Sequence, residues 1–156
     1  MKLSLSKFTS ENAKEICNWK YKGEYAIYNY PDYNKVANEK WAITIKEKRE
    51  NEFFSIINNY RGLCGYIRLQ VKDDTILLGV GLKPTLCGQG LGTIVMKLIK
   101  EKCQELYPKK NIILEVRTFN KRAIKCYEKA GFKEINRYSK NTPIGFGEFI
   151  KMKLSN

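Results

Sequence analysis

The stretch GLKPTLCGQGLGTIVMKLIKEKC, residues 81–103, places Gly88, Gly90 and Gly92 at alternate positions directly before a segment with strong helical periodicity. Glycine inside a helix costs roughly 1 kcal/mol relative to alanine, so three of them at its start require an offsetting need. A strand that runs into a glycine-rich turn and then a helix supplies one. The first-turn N–H groups have no partner within the helix and carry the positive end of its dipole, and glycine lets the backbone reach an anion without side chains intervening. It also adopts the positive φ values that aim successive amides at one point. The chemistry on offer is phosphate binding. The alternative reading is packing, in which the glycines only allow strand and helix to approach closely. The pattern G-x-G-x-G departs from the G-x-G-x-x-G of dinucleotide-binding folds, and the Gly-Lys-Ser/Thr ending of a P-loop is absent.

The elements that must position this loop follow from periodicity. Residues 2–8 alternate like a strand, and Thr9 or Ser10 can cap a helix reaching about Asn18. From Trp19 to Tyr33, WKYKGEYAIYNYPDY packs in six aromatics without a sustained period and ends on Pro31-Asp32, which predicts a long structured loop. A second helix is expected from Val36 to about Lys48. The runs FFSIIN, LCGYIRLQV and TILLGVGL, separated by NNYRG and KDD, predict an antiparallel meander. Leu91, Ile94, Val95, Leu98, Ile99 and Leu106 then recur at helical spacing opposite Lys97, Lys100, Glu101 and Glu105, and Pro108 closes that helix. NIILEVRTF is a further strand, Asn120 is placed to cap the helix KRAIKCYEKA, and Gly131 to stop it. Strands around Phe132–Tyr138 and Gly145–Lys153 complete a hairpin. The order predicts an α/β (α+β) fold, a mixed sheet of about seven strands, mostly antiparallel, flanked by about four helices. The length of 156 residues fits a single domain over 1–156.

Composition narrows the function classes. The net charge of +13 attracts anions, but the lysines are scattered and form no run of five or six, which weighs against a nucleic-acid footprint. Five cysteines (Cys17, Cys64, Cys87, Cys103, Cys126) with no CxxC pair and no histidine argue against both a disulfide framework and a metal site. A reducing, cytoplasmic setting is expected. Lys7 stands where a signal peptide needs an apolar core, and the apolar runs fall short of the ~20 residues of a membrane span, so no membrane partner is expected.

Two separated stretches, GLKPTLCGQGLGTIVMKLI and LEVRTFNKRAIKCYEKAGF, together resemble the GNAT N-acetyltransferase superfamily from about Gly79 to Phe132, and most closely its ribosomal-protein alanine N-acetyltransferase (RimI-type) branch. The resemblance implies acetyl-CoA as co-substrate. Its pyrophosphate would lie on Cys87, Gly88, Gln89, Gly90, Leu91, Gly92 and Thr93, with Cys87 standing where the superfamily pattern has Arg or Gln. The backbone of Val80, Gly81 and Leu82 would hold the pantetheine arm and polarise the acetyl carbonyl. Asn120 would touch the coenzyme, although helix capping alone explains an asparagine there. Tyr127 falls where the superfamily has its general acid, and a phenol titrating near 10 suits protonation of a thiolate. Its other reading is a core aromatic on the helix face of Ala123, Cys126 and Ala130. Glu115, in the apolar strand IILEV, resembles the general base of the RimI-type branch, or else is a strand residue paired with Arg117.

The implied reaction is direct transfer of the acetyl group to a primary amine in a ternary complex. The acceptor is a small molecule or a protein N-terminus, and the enzyme a monomer or homodimer. A non-catalytic acyl-CoA-binding or sensor module would keep the glycine loop but need neither Tyr127 nor Glu115. The aromatic stretch 19–33, with Glu24 and Asp32, occupies the region that helps form the acceptor pocket in the superfamily. Charge and acidity favour a neutral or acidic substrate with an α-amine, titrating at about 8, over a polyamine or a lysine near 10.4.

Overall fold

The computed structural model describes residues 2–155. The strands are β1 (Leu3–Lys7), β2 (Phe53–Asn58), β3 (Leu63–Lys72), β4 (Thr75–Leu82), β5 (Asn111–Arg117), β6 (Lys133–Lys140) and β7 (Gly147–Leu154). They form one sheet in the order β1-β2-β3-β4-β5-β7-β6. β1 with β2, β2 with β3, β5 with β7 and β6 with β7 pair antiparallel, whereas β4 and β5 run parallel, Thr75 opposite Asn111 through Leu77 opposite Ile113. The helices are α1 (Ser10–Cys17), α2 (Tyr33–Asn38), α3 (Lys46–Glu52), α4 (Gly92–Leu106) and α5 (Lys121–Lys129), with 3-10 turns at Gly23–Tyr28, Ala42–Thr44 and Pro84–Leu86. The mixed, mostly antiparallel seven-stranded sheet is the one the sequence predicts.

The chain divides into two compact units, residues 1–68 with 80–87 and residues 69–79 with 88–156. In the first, Phe8, Ala13, Ile16, Trp19, Ile43, Phe53 and Leu63 form a buried cluster, against which Tyr30, Tyr33, Trp41, Ala42 and Tyr66 pack. Three of the six aromatics of 19–33 therefore serve the core: Trp19 is buried in it, and Tyr30 and Tyr33 pack against it partly buried, where the sequence shows no period. Asn29 holds the same stretch together, its side chain accepting from the Tyr21 N–H at 2.6 Å.

The helix expected over Val36–Lys48 is broken into α2, a 3-10 turn and α3. Lys40 stands at φ 57°, the Lys40 N–H donates to the Ala37 carbonyl at 3.1 Å and the Trp41 N–H to the Val36 carbonyl at 3.0 Å. These two bonds are the Schellman pattern that ends a helix, and it is normally signalled by glycine at the left-handed position. A lysine there hides the stop from the sequence. The same pattern closes α5 in its readable form: Gly131 at φ 105°, its N–H on the Glu128 carbonyl at 3.0 Å and the Phe132 N–H on that of Tyr127 at 3.0 Å.

In the second unit the sheet alternates cleanly. Ile112, Leu114, Val116, Ile150 and Met152 are buried, as are Val95, Met96, Ile99 and Cys103 of α4. The opposite strand face carries Glu115, Lys151 and Lys153, each half-buried, together with buried Arg117 and Phe149.

β3 and β4 approach through glycine. A Cβ on Gly65 would overlap the Gly81 carbonyl oxygen, a backbone atom that cannot swing aside. Gly65→Ala is accordingly expected to lower stability by about 1–3 kcal/mol, the usual cost of overpacking, read as a lower urea midpoint at unchanged slope.

Candidate functional site

In the first unit, the segment from Val80 to Cys87 leaves β4 through the 3-10 turn at Pro84–Leu86. The Tyr66 ring lies against Gly81, where a Cβ would overlap its Cε1. The Tyr21 hydroxyl donates to the Leu82 carbonyl at 2.6 Å. Burial, reinforced by the neighbouring Tyr66 and Cys87, pushes the Tyr21 phenol well up, so it remains a donor across the physiological range. The Lys83 N–H closes the segment onto the Cys64 carbonyl at 2.8 Å. Cys87 Sγ lies 3.8 Å from the Leu82 carbonyl oxygen and 3.6 Å from that of Lys83.

In the second unit, the three glycines have two different reasons to be there. Gly88 and Gly90 take φ of 75° and 76°, values that L side chains rarely adopt. Gly92 opens α4, and a Cβ on it would run into the Cys126 sulfur of α5. Close packing accounts for Gly92, whereas Gly88 and Gly90 have the backbone conformation that phosphate binding would use. Gly88, Gln89, Gly90 and Thr93 are exposed, whereas Leu91 is buried beneath them. α1, α2 and α5 each begin with a side-chain cap, from Thr9, Asp32 and Asn120. α4 begins on Leu91 with no side-chain cap and no acid in its first turn. The longest helix thus presents its positive end directly to an exposed glycine loop, the arrangement that binds anions.

Asn120 accepts from the Ala123 N–H at 3.2 Å and so caps α5. Asp32, weighed as an acid for the acceptor, spends its side chain on the Asn34 N–H at 3.1 Å. Tyr127 is half-buried in the last turn of α5. Its ring meets that of Phe132 edge-on, centroids 5.9 Å apart. These are the residues whose apolar contact accompanies the Schellman stop, so the helix ending itself fixes the Tyr127 ring.

Glu115 does not pair with Arg117. Its carboxylate accepts from the Lys140 ammonium at 2.7 Å and from the Tyr138 hydroxyl. Burial pushes the Glu115 pKa up, but the hydrogen bonds from Lys140 and Tyr138 and the charges of Lys140 and Lys151 outweigh it, and the net shift is downward. Burial and the bond to Glu115 raise the Tyr138 phenol. The result is an ionised carboxylate with a low proton affinity. Arg117 is buried, its guanidinium 4.8 Å from the Phe149 ring centroid. Its donors go to the Gly145 carbonyl at 3.1 Å, the Thr142 hydroxyl at 3.2 Å and the Phe146 carbonyl at 3.4 Å, tying down the β6–β7 connection.

Tyr66, Tyr138 and Lys140 are neighbours of the candidate residues that sequence reasoning did not single out, and Tyr21 entered it only as one aromatic of the stretch 19–33. Tyr138 and Lys140 share one face of β6, a signal that becomes meaningful only once the register puts Tyr138 opposite Phe149, next to the β5 strand of Glu115.

The sequence pattern of the Acetyltransferase (GNAT) family matches residues 13–132. No curated protein sequence matches the chain. Among solved structures, the chain is similar to the spermidine N-acetyltransferase from Vibrio cholerae in complex with CoA and spermine, at TM-score 0.77 and 17% identity over 97% of this chain and 94% of that one. It is similar to the ribosomal-protein alanine N-acetyltransferase from Escherichia coli at TM-score 0.69 and 21% identity over 98% and 93%. An acetyltransferase (GNAT family) from Bacillus anthracis aligns at TM-score 0.77 and 13% identity over 99% and 95%.

The Glu115 cluster generates a pH test. A carboxyl whose folded pKa lies below its ordinary 4.5 adds stability above that pH and loses the contribution as pH falls through the folded value. Lys140→Met should therefore cost up to about 1 kcal/mol at pH 7, the scale of a partly exposed ion pair, and the difference from the parent protein should close as acid titrates Glu115. Denaturation midpoints at neutral and acid pH check this.

Proposed function

Because the chain belongs to the acetyltransferase (GNAT) family, we propose that it is an acetyl-CoA-dependent N-acetyltransferase, one domain over 1–156, that transfers the acetyl group directly to a primary amine in a ternary complex. The observation that carries the reading is the uncapped start of α4 beneath an exposed loop with Gly88 and Gly90 at positive φ. That loop, Cys87 to Thr93, is assigned to the coenzyme pyrophosphate. Val80, Gly81 and Leu82 are assigned to the pantetheine arm, with Asn120 touching the coenzyme. The Tyr21 bond to the Leu82 carbonyl supports this part, since it fixes the strand end at one peptide unit.

In the proposed reaction a neutral amine attacks the thioester carbonyl, the nitrogen of the tetrahedral intermediate releases a proton to water, and the C–S bond breaks to leave an amide and a thiolate. Tyr127 protonates that thiolate. The Phe132 contact supports the assignment because it holds the ring in one place. Glu115 takes the proton that the ammonium must lose, through water. Its bonds to Lys140 and Tyr138 keep it ionised, the state a base requires, and also weaken its pull on a proton. An α-amine, titrating at about 8, is the acceptor best matched to so weak a base; a polyamine or lysine amine near 10.4 is matched less well. This favours a substrate of the kind named for the Escherichia coli neighbour over that of the Vibrio cholerae one.

Acetyl-CoA at 100 times its Kd is expected to stabilise the fold by about 2.7 kcal/mol, and Gly90→Val to abolish the thermal shift. No shift with the unmodified protein would remove the basis of the reading.

With labelled acetyl-CoA, peptides with free α-amines should be acetylated faster than spermidine or a lysine side chain. Tyr127→Phe should slow turnover at least tenfold, the lower end of what a positioned acid contributes being about 100-fold, while preserving the coenzyme thermal shift. An unchanged rate would return Tyr127 to a purely structural part.

A further inference from the structure

The glycine loop has a cation beside it that comes from another element. Arg122 and Cys126 lie four residues apart on α5 and so share one face of it. Cys126 fills the space a side chain on Gly92 would need, and Arg122 Nη1 lies 3.4 Å from where a Cβ on Gly88 would stand. Gly88 and Gly92 are also four residues apart, so this face of α5 runs alongside the loop from one end to the other. Arg122, Gly88, Gln89 and Gly90 are all exposed.

The dipole of helix α5 does not call for this cation. Its first turn carries Lys121 and Arg122 and no acid, a placement that the helix dipole disfavours. Its cap is already supplied by Asn120. The residue immediately before the loop, Cys87, brings no charge to it, and the α4 first turn contains no basic side chain. The loop therefore gathers amides for an anion while its own sequence lacks a cation. A guanidinium held at Gly88 meets that need, because its planar fork matches two phosphate oxygens at once.

We infer that Arg122 is the phosphate-binding side chain of this site, pairing with the pyrophosphate of the coenzyme while the loop amides from Gly88 to Thr93 hold its other oxygens. The inference rests on the acetyl-CoA reading and adds the residue that supplies charge. A lysine at 122 would keep the charge and lose the fork.

The test is isothermal titration of the unmodified protein, Arg122→Ala and Arg122→Lys with CoA and with 3′-dephospho-CoA, at low and high KCl. Arg122→Ala should weaken both ligands alike by roughly 10–100-fold, the range of a hydrogen bond to a charged group, with Arg122→Lys between. The salt dependence of CoA binding should be shallower in Arg122→Ala, with the melting midpoint without ligand measured alongside so that a change in fold stability is told apart from a loss of affinity. Unchanged CoA affinity in Arg122→Ala overturns the assignment, as does a loss seen with CoA but not with 3′-dephospho-CoA, which would put the guanidinium on the 3′-phosphate. An unmodified protein that binds neither ligand overturns the acetyl-CoA reading itself.

Discussion

The parallel pairing of β4 with β5, three residues long on each strand, is the constraint on which the second unit depends. Antiparallel neighbours can be joined by a tight turn, but parallel ones require the chain to return to the starting end before it can pair, a crossover of a dozen residues or more. The fifteen residues of α4 make that return. A helix used in this way must begin near the carboxyl end of the strand it leaves. Its first-turn amides have no partner within the helix, and glycine there leaves the backbone bare, which is what an anion site requires. α5 completes the arrangement by laying Arg122 and Cys126 along the same loop.

What was legible in the sequence was whatever a single element announces by its own residues. The strands of the sheet, the α4 periodicity, the Asn120 cap and the Gly131 stop are signals of this kind, and the structure has each of them. The helix over Val36–Lys48 failed because its terminator is Lys40 in a left-handed conformation, a choice without a compositional signature. The aromatic stretch 19–33 had no period because its rings are distributed to different partners: Trp19 and Tyr30 to the core, Tyr21 to the Leu82 carbonyl.

The candidate site divides in the same way. The glycine loop could be read, since bare backbone is itself the message. The surroundings of Glu115 could not, because Tyr138 and Lys140 reach it only through strand register, with β7 pairing both β5 and β6. The partner that the alternative reading gave it, Arg117, is two residues away on β5 and instead serves the β6–β7 connection. Neighbouring residues on one strand face are plausible partners by spacing; which of them meet is decided by side-chain reach across strands.

Arg117 is solvated by dipoles. Two carbonyls, a hydroxyl and the face of Phe149 satisfy its guanidinium, and none of these cancels its charge. It shares its strand face with Lys151 and lies near Lys140, while the carboxylate of Glu115 is already shared between hydroxyl and ammonium. Around Glu115 the fixed charges of Arg117, Lys140 and Lys151 thus outnumber the one carboxylate they surround. A further cation brought among them would meet like charge, which disfavours the charged form of any group that titrates.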